Sequence, residues 1–152
     1  MRNRSAPAAH VVPILIYGDV AKAVDWLCAA FGFQERLRAP DSNGVINHAQ
    51  LNVGDGAIMV GRSRGPIKPL EARDVRQYVL VDVQDADAHC ERAKQYGATI
   101  LQAPADMPFI TWLKCRAPCA IYRPCEGGGF NPFRGPLLSC SLHRTRRAAS
   151  LL

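Results

Sequence analysis

The pattern of apolar and polar residues in the first part of the chain predicts a strand followed by a helix. Residues 11–17 form a β-branched and aliphatic run, with Pro13 predicted at the start of the strand or on a sheet edge. Asp19 predicts a helix N-cap, and apolar residues then recur at helical spacing through 20–31. Gly32 predicts a left-handed residue that ends the helix.

Three extended segments follow this helix, at residues 33–38, 45–53 and 57–60. The sequence Asp-Ser-Asn-Gly at 41–44 is typical of a hairpin turn between the first two segments. The predicted order is therefore strand, helix and three strands.

The same order begins again further along the chain. Residues 77–83 predict a strand, Asp85 a helix cap, 86–96 a helix, Gly97 its end and 99–103 another strand. The two caps are 66 residues apart and the two terminal glycines are 65 residues apart. This period indicates two copies of one module, each of which needs the other to cover its sheet.

The predicted fold is α+β, with paired βαβββ modules of which the second is incomplete or divergent. The predicted parts of the chain are a flexible start (1–9), a first module (10–61), a linker (62–75), the start of a second module (76–108) and a divergent tail (109–152).

The tail, residues 109–152, contains proline, glycine, cysteine and arginine without a recognisable period, and only 110–113 and 120–122 are candidate strands. It contains 7 basic residues and 1 acidic residue, whereas residues 1–108 contain 12 of each. No recognition helix accompanies this charge, so nucleic-acid binding is not expected. Two alternatives remain for the tail: a genuinely divergent or added segment, or translation in a shifted reading frame.

The overall composition is that of a folded globular protein, with 48% hydrophobic and 21% charged residues among 152. No apolar run approaches the roughly 20 residues that a membrane-spanning helix needs. The first ten residues do not resemble a secretory signal, and the six cysteines are therefore expected to be reduced thiols. We expect a cytoplasmic protein without a membrane partner.

Several segments together resemble the vicinal oxygen chelate superfamily, which includes glyoxalases, bleomycin resistance proteins and extradiol dioxygenases. The similar segments are residues 12–27, 30–33, 48–55, 85–94 and 97–98. The similarity is strongest to glyoxalase-like and bleomycin-resistance-like members and covers about residues 10–108. It implies a cup-shaped sheet from each module, helices outside, a ligand cavity inside and frequently a dimer.

Enzymes of this superfamily hold a divalent metal with histidine and glutamate side chains. The resemblance places the two histidine positions at Val12 and Tyr78 and the first carboxylate position at Gln50, none of which is a normal metal ligand. Glu126 is the one acid in the tail, and His10 is a weak candidate ligand two residues before Val12. No cofactor is therefore expected, and a divalent metal is disfavoured.

The candidate ligand-pocket residues are His48, Gln50, Tyr78 and Trp26. Alternation in the strand 45–53 places His48 and Gln50 on one face and the apolar Leu51 on the other. The polar face either lines a pocket or is solvated. Trp26 either reaches the ligand or packs the helix against the sheet.

Two further groups have reactive residue types but lack a suitable arrangement. Neighbouring positions in a helix point about 100° apart, so His89 and Cys90 are not expected to act as a base and nucleophile. The cysteines of the tail with a nearby histidine do not have the spacing of a zinc site; they are Cys115, Cys119, Cys125, Cys140 and His143.

The sequence thus predicts a glyoxalase-like or bleomycin-resistance-like protein that binds a small molecule in a cavity of the paired modules, without a metal and as a homodimer. Catalysis remains undecided. The alternatives are a metal-dependent lyase, isomerase or dioxygenase of the same superfamily, and a structural remnant that binds no ligand.

Overall fold

The computed structural model describes residues 7, 9–65, 78–106, 111–116 and 137–142. Eight strands and two helices occur in these ranges. In chain order they are β1 (Ile14–Tyr17), α1 (Val20–Phe31), β2 (Gln34–Pro40), β3 (Ile46–Val53), β4 (Gly56–Arg62), β5 (Val79–Asp82), α2 (Ala86–Gln95), β6 (Thr99–Asp106), β7 (Thr111–Arg116) and β8 (Leu137–Leu142).

The strands form two four-stranded sheets with the same topology. The first has the order β1-β4-β3-β2 and the second the order β5-β8-β7-β6. In each sheet the first strand is parallel to the last and the other neighbours are antiparallel. Each half of the chain is therefore a βαβββ module, which confirms the predicted α+β fold and the internal repeat.

The last two strands of the second module lie in the tail. β7 overlaps the candidate strand at 110–113, whereas β8 was not predicted and the candidate at 120–122 lies outside the described residues. The second module was predicted to be incomplete or divergent. Its sheet has four strands, so the module is divergent in sequence rather than incomplete. β8 pairs with both β5 and β7. This pairing indicates a strand more clearly than the sequence pattern of β8 does.

The two helices begin and end where the sequence predicts. The side chain of Asp19 accepts a hydrogen bond of 3.1 Å from the backbone N–H of Lys22, and Gly32 ends α1 with φ of 71°. In α2, Asp85 accepts the equivalent bond from Ala88 at 2.9 Å. Neither helix in the described ranges is long and apolar enough to cross a membrane.

The two modules pack together through their helices. Trp26 of α1 donates a hydrogen bond from Nε1 to the carbonyl of Tyr96, at a distance of 2.8 Å. Arg92 of α2 donates from Nε to the carbonyl of Ala30 at 2.9 Å. Buried residues from both modules form one hydrophobic cluster, so each module covers part of the other.

Candidate functional site

The two faces of β3 have different environments. Ala49 and Leu51 are fully buried in the core beneath α1, as expected for the apolar face. His48 and Gln50 alternate with them and therefore point to the side of the sheet turned away from α1. We call this side of the first sheet the open face; its residues include Ile14, Ile16, Leu37, Ala39, His48, Gln50, Met59 and Gly61.

Gln50 is the most enclosed polar residue of the open face, with only 3% of its surface exposed. Its cross-strand neighbours are Leu37 in β2 and Met59 in β4. Its Oε1 accepts a hydrogen bond from Nη1 of Arg36. A buried amide oxygen requires such a donor because leaving it without one costs about 1–3 kcal/mol.

Arg36 reaches this face because β2 is irregular at that point. The pairing of β2 with β3 shifts between Glu35 and Leu37, so Arg36 occupies an extra position in the strand. On the opposite side of β2, Arg38 forms an ion pair of 2.6 Å with Asp25 of α1. Regular alternation along the sequence does not predict this contact of Arg36, because it does not show where a strand contains an irregularity.

His48 lies in the adjacent cross-strand row and is half-buried. Its neighbour in β2 is Ala39 and its neighbour in β4 is Gly61, which in turn pairs with Ile16 of β1. The imidazole is thus flanked by two of the smallest residues. Ile14 and Ile16 are 59% and 46% exposed, so a broad apolar surface adjoins the two polar side chains.

The positions that the resemblance assigns to metal ligands do not form a metal site in the described residues. Val12 is half-buried and apolar, Tyr78 is exposed, and Gln50 has its oxygen engaged by Arg36. His10 is exposed before β1. Within the described ranges, no group of three or more histidine, cysteine, aspartate or glutamate residues could hold a metal ion. Glu126 lies outside those ranges.

The other two predicted pocket residues lie elsewhere. Trp26 is buried on α1, on the far side of the first sheet from His48, and its indole bonds to the end of α2. Trp26 therefore has the second of the two roles that the sequence allowed, which is to pack α1 against its neighbours. Tyr78 precedes β5 in the second module and is 47% exposed. Of the four candidates, the structure brings His48 and Gln50 together.

His89 and Cys90 are both buried in α2. Burial, together with the positive charge of Arg92, lowers the pKa of His89 to about 4. Burial raises the pKa of the Cys90 thiol, so the thiol is uncharged near neutral pH. Neither group is therefore an activated nucleophile or base. Cys115 is also buried, whereas Cys119, Cys125 and His143 lie outside the described residues.

The sequence matches a family model described as the glyoxalase/bleomycin resistance protein/dioxygenase superfamily over residues 8–111. The chain belongs to this superfamily. A curated relative, an uncharacterised protein of Mycobacterium bovis, is 29% identical over 103 residues. The match covers 62% of this chain and 66% of that relative, so it spans less than two thirds of the relative's length.

Several solved structures share the fold of this chain. TioX from Micromonospora sp. ML1 is 33% identical with a TM-score of 0.64, covering 90% of this chain and 99% of its own. The fosfomycin resistance protein FosX of Listeria monocytogenes, solved with Mn(II) and sulfate, is 15% identical (TM-score 0.60; 92% and 96% covered). TnmS3, an antibiotic binding protein from Streptomyces sp. CB03234, is 15% identical (TM-score 0.55; 91% and 99% covered). At such low identity, the likeness to FosX and TnmS3 shows the fold alone.

Proposed function

We propose that this superfamily member binds a small molecule on the open face of its first sheet and sequesters it without a metal ion. The observation that carries the proposal is the enclosed Gln50, whose oxygen is held by Arg36 beside the half-buried His48. A few oriented polar groups next to an apolar surface are typical of small-molecule sites. The resemblance to an antibiotic binding protein in fold supports the same class of function.

The chemistry at Gln50 favours binding without a metal. A neutral amide oxygen is a weak ligand for transition metals, and here it already accepts a hydrogen bond from a guanidinium. A divalent ion at this oxygen would also be close to the positive charge of Arg36, and like charges at such short range repel each other. Holding an ion there would require Arg36 to move away.

The same residues favour sequestration over catalysis. General acid–base catalysis needs a positioned proton donor or acceptor, and oxyanion stabilisation needs donors aimed at developing charge. Among the residues placed on the open face, His48 carries the one imidazole, and its cross-strand neighbours, Ala39 and Gly61, offer no second catalytic group. This arrangement can orient a ligand by hydrogen bonds and apolar contact.

A thermal-shift screen of a small-molecule library tests the proposal. A ligand present at about 100 times its Kd should stabilise the protein by about 2.7 kcal/mol. His48→Ala and Gln50→Ala should then weaken binding of each hit, by about 0.5–1.5 kcal/mol for each lost hydrogen bond. Gln95→Ala is a matched control, because Gln95 is exposed at the end of α2. Hits that bind all three variants as well as the wild type would place the ligand elsewhere and overturn the proposal.

Elemental analysis tests the metal-free part separately. Protein purified without a histidine tag or chelator should contain far less than one Zn, Ni, Fe or Mn per chain. One tightly held ion per chain would contradict this part of the proposal and favour the alternative, a metal-dependent lyase, isomerase or dioxygenase. A screen without any hit, together with an absence of metal, would favour a remnant without ligand.

We also propose that the chain forms a homodimer. Tyr78 and Leu80, at the edge strand β5 of the second sheet, are 47% and 50% exposed. Exposed apolar side chains along an edge strand are typical of a surface covered by another chain. The strand β5 belongs to the second sheet, so such a dimer leaves the open face of the first sheet to a ligand.

Light scattering at micromolar concentration tests the dimer. The wild type should have twice the mass of one chain, and Leu80→Glu should shift it towards the monomer. Lys22→Glu on the exposed side of α1 is the control for an added negative charge and should remain dimeric. A stable monomer of the wild type would overturn this proposal.

The sequence also predicts a cytoplasmic location, and cell fractionation can test this prediction.

A further inference from the structure

The side-chain amide of Gln50 has a fixed orientation. A guanidinium can only donate hydrogen bonds, so the atom of this amide that lies against Nη1 of Arg36 is the oxygen, Oε1. The amide nitrogen, Nε2, is therefore turned away from Arg36. Only 3% of Gln50 is exposed, so its neighbours leave little room for the head group to turn over.

Nε2 of Gln50 is a donor to which the protein supplies no acceptor in the part of the chain that the structure describes. An amide nitrogen can donate twice, yet no described residue accepts a hydrogen bond from it. It is also not a fully buried atom, so the small exposed part of Gln50 includes this nitrogen. A polar group so enclosed normally has a partner, and a ligand on the open face can supply one.

The surface around Gln50 is apolar. Leu37 and Met59 flank Gln50 on the two neighbouring strands. Ile14 pairs with Met59 on the next strand and is 59% exposed. The amide nitrogen therefore lies beside a surface on which an apolar body can pack.

The charge on this face favours an acceptor that is negatively charged. Arg36 places its guanidinium against the head group of Gln50, so an acceptor at Nε2 lies close to a positive charge. The one acid in strands β1 to β4 is Glu35. It pairs with the buried Leu51 and so belongs to the opposite face, where it bonds to Arg38. A carboxylate at Nε2 is thus attracted by Arg36 and is not repelled by an acid of these strands on the same face.

We propose that the ligand of the open face is an apolar carboxylic acid, whose carboxylate accepts a hydrogen bond from Nε2 of Gln50 beside Arg36. Its apolar body lies against Leu37, Met59 and Ile14. Gln50 thereby selects ligands by polarity, because an ammonium group at Nε2 would set one donor against another. This inference rests on the proposed small-molecule function and adds the chemical class of the ligand.

Calorimetry with three probes that share a pentyl chain tests this selection by polarity. Hexanoate presents a carboxylate, methyl pentyl ketone presents a neutral acceptor, and hexylamine presents an ammonium group, which can only donate. The wild type should bind hexanoate at least about tenfold more tightly than hexylamine, with the affinity of the ketone between the two.

Gln50→Glu reverses the polarity of the site at nearly constant size. The new carboxylate can still accept the hydrogen bond from Arg36, but it presents oxygen where the wild type presents N–H. Hexanoate should bind this variant at least about tenfold more weakly, and hexylamine should bind it more tightly than it binds the wild type. If this variant has a lowered melting temperature, Gln50→Met removes the donor without adding charge; it should weaken hexanoate about fivefold and leave hexylamine unchanged.

Gln95→Glu is the matched control, because it makes the same exchange at an exposed position at the end of α2. It should change the affinity of each probe by less than about twofold. An equal loss of hexanoate binding in this variant would assign the effect to overall charge and overturn the role of Gln50.

The other outcomes separate this inference from the function on which it rests. Equal binding of hexanoate and hexylamine by the wild type, no binding of any probe, or hexanoate binding that survives in both Gln50 variants overturns the proposed ligand class. Library hits that depend on His48 and Gln50 would leave the binding function standing in each of these cases. A preference for hexanoate that is reversed in Gln50→Glu and kept in Gln95→Glu supports the inference.

Discussion

The guanidinium of Arg36 donates a hydrogen bond to Oε1 of Gln50 on the open face of the first sheet. This contact joins an extra residue of the edge strand β2 to an enclosed amide on β3. It gives the open face a fixed polar position, because the amide oxygen is satisfied within the protein and the orientation of the Gln50 side chain is thereby set.

A double-mutant cycle on Arg36 and Gln50 should show energetic coupling. Arg36→Ala should destabilise the protein by about 1–3 kcal/mol because it removes a donor from a buried oxygen. The loss should be smaller in a Gln50→Leu background, which has no oxygen to satisfy, and the difference should be about 0.5–3 kcal/mol. Urea unfolding of the wild type, the two single variants and the double variant measures this coupling energy. Strictly additive effects would show that the contact contributes nothing to stability.

The two faces of β3 should respond differently to substitution. Leu51 is fully buried beneath α1, so Leu51→Ala should cost about 2–5 kcal/mol through the cavity that it leaves. His48→Ala should change stability by no more than about 0.5 kcal/mol while weakening ligand binding. Chemical denaturation and a binding titration on both variants check this. Binding lost with Leu51→Ala at full stability, and kept with His48→Ala, would reverse the assignment of the faces.

The sequence predicted best the features that depend only on residues close together in the chain. The bounds of α1 follow from an aspartate cap and a glycine end, and both are found as predicted. Period-two alternation likewise predicted which side of β3 carries Leu51 and which carries Gln50, because one side of this strand is covered by a helix.

Features that depend on pairing between distant residues were missed. Arg36 contacts Gln50 because β2 shifts its register against β3, and Gly61 flanks His48 because the two residues pair across neighbouring strands. The strand β8 is defined by its pairing with β5 and β7, and it occurs in a part of the sequence without a strand period. Such relationships appear only once the strands are placed side by side.

Trp26 should prove to be a structural residue rather than a ligand contact. Trp26→Phe removes the hydrogen bond from Nε1 to the carbonyl of Tyr96 and should destabilise the protein by about 1 kcal/mol or more, with ligand affinity unchanged. Tyr96→Ala keeps that carbonyl and removes a side chain that is 48% exposed, so it is the control and should be nearly neutral. Thermal unfolding and a binding titration measure both effects. If Trp26→Phe lost ligand affinity at unchanged stability, Trp26 would instead be a ligand contact.

His89 should make the packing of the two modules sensitive to acid. Its ring lies edge-on to Phe31 of α1, with centroids 4.8 Å apart, and Nη2 of Arg92 lies 3.0 Å from Nδ1. A guanidinium can only donate, so Nδ1 accepts this bond and the ring is neutral with its proton on Nε2. Burial and the charge of Arg92 lower the pKa to about 4.

The sign of the pH dependence follows from this lowered pKa. An unfolded histidine titrates near its ordinary pKa of about 6.5, so between about 6.5 and 4 the unfolded state binds more protons than the folded state. The contribution of His89 to stability should be fully present above this window and should fall as the pH is lowered through it, by on the order of 3 kcal/mol in total. Denaturation at a series of pH values from about 7 to 5 measures the decline above the range in which carboxyl groups titrate. His89→Gln should remove the decline and His48→Gln should keep it; a decline that survives in His89→Gln would assign the acid sensitivity to another group.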